Sequence, residues 1–290
     1  MTTTRPRFQQ GKCIPDPVVQ RFLENLQIYP DASNHLLQDE FCDTYWRWIQ
    51  ASPSTLRGVE DFTCRAYSQG TTEAFDKFYI RHAHRRFRIW KGEYAYHKIM
   101  FKSGLRWAWL DDDEIRPFDA VIVSVPFADS GEVYRYAETL EQCEKLGVPV
   151  LVDLCWFGTV LSIDINLQYE CIREITFSLS KTFPISRHRI GMRLSRETYE
   201  EDGLLAYRRD NYLNYYSQRV GIEVMRYFSA SYIPNRYQKA QERLCKEIQA
   251  KPSLSVCLAT GGDNWSHLNR GGPHNRLCLS GELVEYRQAD

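Results

Sequence analysis

The sequence predicts an α/β fold: a predominantly parallel sheet with helices on both faces, followed by a small α+β unit at the C-terminal end. Three observations predict it. Between about residues 62 and 180, short apolar segments alternate with helical patterns, as in strand–helix–strand units. Two segments, Ala120 to Val125 and Val148 to Leu154, are nearly unbroken apolar runs, as strands covered on both faces are. Beyond about Arg193 the strand patterns give way to long helical ones with two short strand candidates, a shift that marks a second unit. The division expected is an N-terminal arm and helix over 1–45, a large α/β domain over 46–203 and a reduced small domain over 204–290.

Each element has its own signal. A helical pattern from about Val18 to Leu26 ends at Tyr29-Pro30-Asp31, where proline disfavours helical geometry in the residue before it. From Leu36 to Gln50, Leu37, Phe41, Tyr45 and Trp48 recur at helical spacing, and the pattern stops at the turn-rich SPST. Strand-like segments follow: FTCRAYS, RFRIWKG, YAYHKIMFKSG, LRWAWL, DAVIVSVPF, PVLVDLCW and EITFSLS. Helices from about Thr72 to Arg85 and Gly131 to Leu146 lie between them. The second unit has helical patterns from Leu204 to Phe228 and Ile233 to Ala250, then the strand candidates SVCLA and RLCLS.

Composition narrows the class of function. The chain has 290 residues, with 43% hydrophobic and 26% charged, the balance of a folding globular chain and not of a disordered one. Basic and acidic residues both number 37, so the net charge is zero and nothing draws the chain toward nucleic acid or an anionic membrane. The longest apolar runs are far too short to span a bilayer, and MTTTRPRFQQGK has no apolar signal region. Nine cysteines are scattered without CxxC pairs, which suits free thiols in a reducing, cytoplasmic compartment.

The chemistry-bearing residues sit at strand ends. Lys181, in Ser178-Leu179-Ser180-Lys181, follows a buried strand at the place where α/β sheets put ligand sites. A lysine there can form a Schiff base with a carbonyl compound, and it equally suits one that snorkels to solvent. Asp153 follows four residues of an apolar strand, where a carboxylate requires a partner; a cationic ring nitrogen is one such partner, and a capping role in the next turn is another. Gly70-Thr71-Thr72-Glu73-Ala74 opens a helix after a strand, converging backbone N–H groups and hydroxyls into an anion cradle or a simple cap.

In this order, the features resemble the fold type I pyridoxal 5′-phosphate enzymes of the class I/II aminotransferase-like family, over about Ile14 to Gly281. The resemblance implies roles residue by residue. Lys181 matches the Schiff-base lysine, and Arg189, followed by Ile190-Gly191, matches the arginine that grips the cofactor phosphate. Ser178 and Ser180 stand where a phosphate-contacting hydroxyl is placed, and Gly70, Thr71 and Thr72 match the phosphate-cradling turn. Asp153 matches the aspartate beneath the pyridine nitrogen, and Tyr94 the aromatic ring stacked on the cofactor, with Tyr96 as a neighbouring competitor. Tyr29 resembles a tyrosine that reaches a partner subunit's phosphate, which implies a homodimer with shared active sites. Arg276, in Asn275-Arg276-Leu277, resembles the arginine that takes a substrate carboxylate in its guanidinium fork.

Two positions depart from the pattern. Ala128 occupies the place of an asparagine, and Trp156 that of a tyrosine, which in the family donate to the cofactor's phenolic oxygen; Trp156 is therefore expected to line the cofactor site without that bond, and Asp129 or Ser130 are candidate substitutes. Arg187, His188, His97 and Tyr96 lie close to the matched motifs as candidate specificity residues. The function implied is a pyridoxal phosphate enzyme acting on an amino acid, with transamination to a 2-oxo acid as its leading reaction. Lyase, decarboxylase, racemase and oxidase outcomes share its first steps. A non-catalytic scaffold is the alternative from another class, and a nucleotide-binding domain is disfavoured because the chain has no GxGxxG or GxxxxGK[ST] loop.

Overall fold

The computed structural model describes residues 8–29, 36–199, 202–210, 212 and 214–288. Pro30 and Asp31, the expected stop of the first helix, lie outside them. Asp16 caps α1 (Pro17–Glu24), its carboxylate accepting from the Val18 and Val19 amides, with proline at the first helical position where its missing N–H costs nothing. Then come α2 (Leu37–Gln50), β1 (Cys64–Ser68), α3 (Gly70–Arg81), β2 (Arg86–Ile89), α4 (Ala95–Phe101), β3 (Trp107–Trp109), β4 (Asp119–Ser124), α5 (Tyr136–Leu146), β5 (Val150–Leu154), β6 (Ile172–Ser178) and β7 (Gly191–Ser195). These seven strands form one sheet in the order β1-β7-β6-β5-β4-β2-β3. Its pairs are parallel except for those of β7, which runs antiparallel to both β1 and β6.

The two faces separate by strict alternation. Val121, Val123, Val150 and Val152 pack with Tyr136, Leu140 and Cys143 of α5 and with Phe41, Tyr45 and Trp48 of α2 in one core. Ala120, Ile122 and Leu151 pack with Phe75, Phe78 and Tyr79 of α3 and Phe101 of α4 in the other. Because side chains alternate along a strand, Ser124 and Asp153 fall on the α3 face, at the C-terminal ends of β4 and β5.

The C-terminal part contains α6 (Gly203–Arg209), α7 (Tyr215–Tyr227), α8 (Tyr232–Glu247) and α9 (Leu283–Gln288). It also holds an antiparallel sheet of β8 (Ala250–Pro252), β9 (Leu258–Gly261) and β10 (Asn275–Cys278).

Two expectations are corrected. YAYHKIMFKSG is a helix over Ala95–Phe101 rather than a strand, because a short apolar run has no periodicity long enough to separate the two. The expected strands also omit β7, Gly191–Ser195, which lies inside the sheet beside β6. Its charged Arg193 makes it read as polar in sequence, yet Arg193 is fully buried. Arg193 Nη2 lies 2.6 Å from Asp202 and Nη1 3.8 Å from the buried Glu174, which also pairs with Arg81. Arg193→Leu removes one cation from this buried cluster and is expected to cost about 3–5 kcal/mol, read as a lower urea midpoint with an unchanged slope.

Candidate active site

One cavity of about 1150 Å³ opens at the C-terminal ends of β4, β5 and β6, and its lining includes Thr71, Thr72, Tyr94, Ala128, Asp153, Trp156, Ser178, Ser180, Lys181, Arg189 and Arg276. Eleven chain positions spread from 71 to 276 thus meet at the sheet edge where α/β folds collect ligands.

The loops after β6 and β1 build an anion cradle. The end of β6 turns on Ser178, whose hydroxyl is 3.0 Å from that of Ser180 and donates to the Ile190 carbonyl. Arg189 sits in the left-handed region at φ 54°, with its carbonyl held by the Tyr67 hydroxyl at 2.9 Å. This turn sends the guanidinium across to α3, where Nη2 donates to Thr72 Oγ1 at 2.9 Å and to the Gln69 carbonyl at 3.3 Å. Gly70 makes that approach feasible: at φ +71°, a Cβ there would lie 2.6 Å from Arg189 Nη2. The N–H groups of the first turn of α3, the Thr72 and Ser178 hydroxyls and the guanidinium together fit a phosphate. Gly70→Ala is expected to weaken phosphate-ester binding at this cradle by about tenfold or more through left-handed strain and displacement of Arg189, checked by calorimetric titration with a phosphate monoester.

Lys181 is half-buried. Its Nζ donates to the Gly11 carbonyl at 2.5 Å and stands 4.9 Å from the Trp156 ring centroid and 5.9 Å from that of Tyr94. Trp156 is only 2% exposed and forms an apolar wall, whereas Tyr94 is 39% exposed and stacks on Tyr96 at an 18° interplanar angle. Asp153 is 2% exposed, and Oδ1 accepts from the Cys155 amide at 2.9 Å. Burial, then the nearby Glu93 carboxylate, push its pKa up to about 7. A buried carboxylate facing a cavity gains most from a cationic partner.

Arg276 on β10 donates to the Ala128 carbonyl at 2.9 Å and the Gln9 carbonyl at 3.1 Å. It is 7% exposed, and its Nε has no hydrogen-bond partner among the described residues. Burial and the neighbouring Arg270 guanidinium lower its pKa.

Other sequence candidates fall elsewhere. Tyr29 is 75% exposed, does not line the cavity, and its hydroxyl donates to Gln27. His97 is buried against Tyr79 and Phe75, and burial lowers its pKa to about 3, so it is a core residue. The Tyr96 hydroxyl is held by Asp76, while Arg187 does line the cavity. Asp129 faces the His274 amide and Arg270, and the Ser130 hydroxyl accepts from the Glu132 amide; neither lines the cavity in place of the missing donors at Ala128 and Trp156.

Sequence reasoning missed three contributors. The segment 8–13 crosses the cavity, with the Phe8, Gln9, Gly11 and Lys12 carbonyls accepting from Cys278, Arg276, Lys181 and Ser280 respectively. Arg270 donates to the carbonyls of Gly92, Glu93 and Ala128. Glu93 is 2% exposed beneath the site. The sequence carries no signal for Glu93, whose burial is set by Ser124, 31 residues away.

No family profile matches the sequence, and no curated protein matches it. Solved structures do. Tyrosine aminotransferase from Leishmania infantum aligns with a TM-score of 0.67 at 10% identity, over 99% of this chain and 93% of that one. Histidinol-phosphate aminotransferase from Clostridium acetobutylicum gives 0.64 at 15% identity, over 98% of each chain. The PLP-bound C-S lyase from Staphylococcus hominis gives 0.63 at 12% identity, over 98% of this chain and 89% of that one. These likenesses establish the fold, which is the one the sequence predicts.

Proposed function

We propose that this chain is a pyridoxal phosphate-dependent enzyme acting on an amino acid, with transamination as its leading reaction. The observation that carries the reading is the convergence on one cavity of an anion cradle, a half-buried lysine, a buried carboxylate and a buried arginine with an unpartnered Nε. Its fold neighbours support it, since they are aminotransferases and a PLP-bound lyase. The residues present fit the cofactor. Gly70, Thr71, Thr72, Ser178, Ser180 and Arg189 would hold its phosphate, Tyr94 and Trp156 would flank its ring, and Asp153 would face its ring nitrogen.

When bound, the cofactor supplies an aldehyde that condenses with amines and a cationic ring that accepts electrons from a bond broken beside the amine. The protein's part is positional and proton-handling. Lys181 Nζ would hold the aldehyde and, when its amine is free, would take a proton from the substrate α-carbon and return it as general base and acid. Asp153 would face the ring nitrogen and favour its protonated form. Arg276 exchanges its backbone carbonyls for the substrate carboxylate and fixes the angle at which the reacting bond is presented. The 8–13 segment must yield both the Gly11 and Gln9 contacts for this to occur. Transamination needs a 2-oxo acid as second substrate.

A lyase outcome is the second reading. The C-S lyase neighbour and the replacement of two donors by Ala128 and Trp156 favour it. Incubation of the loaded protein with a panel of amino acids, each with and without a 2-oxo acid, tests both. Transamination predicts a new amino acid that appears only with the acceptor; elimination predicts ammonia without one. Absence of any turnover, with no spectral change, would instead favour the scaffold reading.

The proposal extends to assembly and place. The exposed Tyr29 supports a homodimer in which it reaches the neighbouring subunit's phosphate, and nine free cysteines support a reducing, cytoplasmic setting. A large domain over 46–203 and a small one from 204 are kept, with the separate β8–β9–β10 sheet as support, although α6 begins at Gly203 across that boundary.

A further inference from the structure

We propose that the segment 8–13 is a strap that couples Lys181 to Arg276: its Gly11 carbonyl holds the lysine, its Gln9 carbonyl blocks the arginine, and loading of the lysine frees the arginine for a carboxylate. The lysine half of this coupling rests on the cofactor reading; the block at Arg276 is tested without cofactor.

The strap is fixed at its two ends and irregular between them. At one end the Phe8 carbonyl accepts from the Cys278 amide at 2.8 Å, and the Phe8 ring meets Trp265 edge-on with centroids 5.5 Å apart. At the other, the Lys12 carbonyl accepts from the Ser280 hydroxyl at 2.7 Å, and the Lys12 amide donates to Cys278 Sγ at 3.5 Å. Residues 9–11 belong to no helix or strand, and Gln9 and Gln10 are exposed. An exposed stretch outside regular structure opens at low cost.

The contact at Arg276 is half a match. Nε and Nη2 form one edge of a guanidinium, and such an edge takes the two oxygens of a carboxylate together. Here Nη2 donates to the Gln9 carbonyl at 3.1 Å, while the buried Nε has no partner among the described residues. One carbonyl oxygen therefore occupies an edge suited to two. A carboxylate fills both positions and adds a negative charge, so it displaces Gln9 once the strap is free to move.

Lys181 sets that freedom. Its Nζ donates to the Gly11 carbonyl at 2.5 Å, and a charge-assisted bond of this kind is roughly twice as strong as a neutral one. Gly11 is two residues from Gln9, at most about 7 Å along the chain, so the tie at Gly11 restrains Gln9. The packing there is close: a Cβ on Gly11 would stand 3.3 Å from the Trp156 ring and 3.5 Å from Arg276 Nη1. Condensation of Nζ with the cofactor aldehyde joins nitrogen to carbon, expels the aldehyde oxygen as water and leaves at most one of the ammonium's three N–H bonds. With those donors gone, Nζ holds Gly11 less tightly, and the strap lifts from Arg276 at lower cost.

The probe is propionate, which carries a carboxylate and no amine. Its binding is followed by NMR titration of wild type and of a chain lacking residues 1–11, each with and without pyridoxal phosphate. Without cofactor, the shortened chain is expected to bind propionate about tenfold or more tightly than wild type, a gain that Arg276→Gln abolishes. Cofactor is expected to strengthen propionate binding about tenfold more in wild type than in the shortened chain. Equal or weaker binding by the shortened chain, or a gain that survives Arg276→Gln, overturns the block; equal cofactor effects in the two chains overturn the coupling. Hydrogen exchange adds a second readout: the 8–13 peptide of loaded wild type exchanges faster with propionate present, and slower exchange would mean that the strap closes on the ligand, contrary to the proposal. Should the shortened chain fail to fold, Phe8→Ala, which loosens one anchor, must raise the propionate affinity of the cofactor-free protein; an unchanged affinity overturns the block. If pyridoxal phosphate binds neither chain, the cofactor reading and the coupling fail together, while the cofactor-free comparison still decides the block.

Discussion

Lys181→Ala is expected to lower turnover by on the order of 10⁴-fold or more, since on the proposed reading it removes both the group that would carry the cofactor and the group that would move the proton. Binding should survive in weakened form. The anion cradle of Gly70, Thr72 and Arg189 is built by α3 and the β6–β7 loop and owes nothing to the lysine. The expected pattern is therefore split: absorbance titration shows retained but looser association, without the visible band of a lysine-bound cofactor, while steady-state assays show almost no product. Loss of association together with turnover would mean that the side chain mainly supports the local fold.

Asp153→Asn is the other large effect. On the proposed reading, replacing the carboxylate removes the charge that would hold the ring nitrogen protonated, and breaking a buried ion pair costs about 3–5 kcal/mol, which corresponds to roughly 10²–10⁴-fold in rate. The same substitution should act in the opposite direction on the cofactor-free protein. The folded state binds the Asp153 proton more tightly than the unfolded chain, with a pKa raised from 3.8 to about 7, so stability falls as pH rises across that interval. Asp153→Asn removes this dependence. The measurement is paired: kcat for the loaded variant, and urea midpoints of the apo-protein from pH 5 to 8.

Much of this site was legible in the chain because its residues lie where strands end. Lys181, Asp153 and the Gly70 turn each follow an apolar run, so the local pattern that defines the strand also marks the ligand-facing position. Arg189 was legible by its spacing from Lys181, though not its contact with Thr72, which depends on a left-handed backbone and a glycine in a different loop. Glu93 was not legible. Its burial is set by Ser124, 31 residues away, and in one dimension it is an ordinary charge between a glycine and a tyrosine. β7 was hidden for the same reason, because Arg193 reads as solvent-facing until Asp202 and Glu174 are brought to it by the fold. The N-terminal segment was legible as an arm, but the carbonyls of Gly11 and Gln9 carry no sequence signal for the contacts they make with Lys181 and Arg276.

The central claim is that Lys181 forms a covalent imine with pyridoxal phosphate. The most direct measurement is borohydride reduction of the loaded protein followed by peptide mass mapping. One pyridoxyl group per chain on the peptide that carries Lys181, absent from Lys181→Ala, is the predicted result. No adduct, or one spread over exposed lysines and unchanged in the variant, would contradict the account.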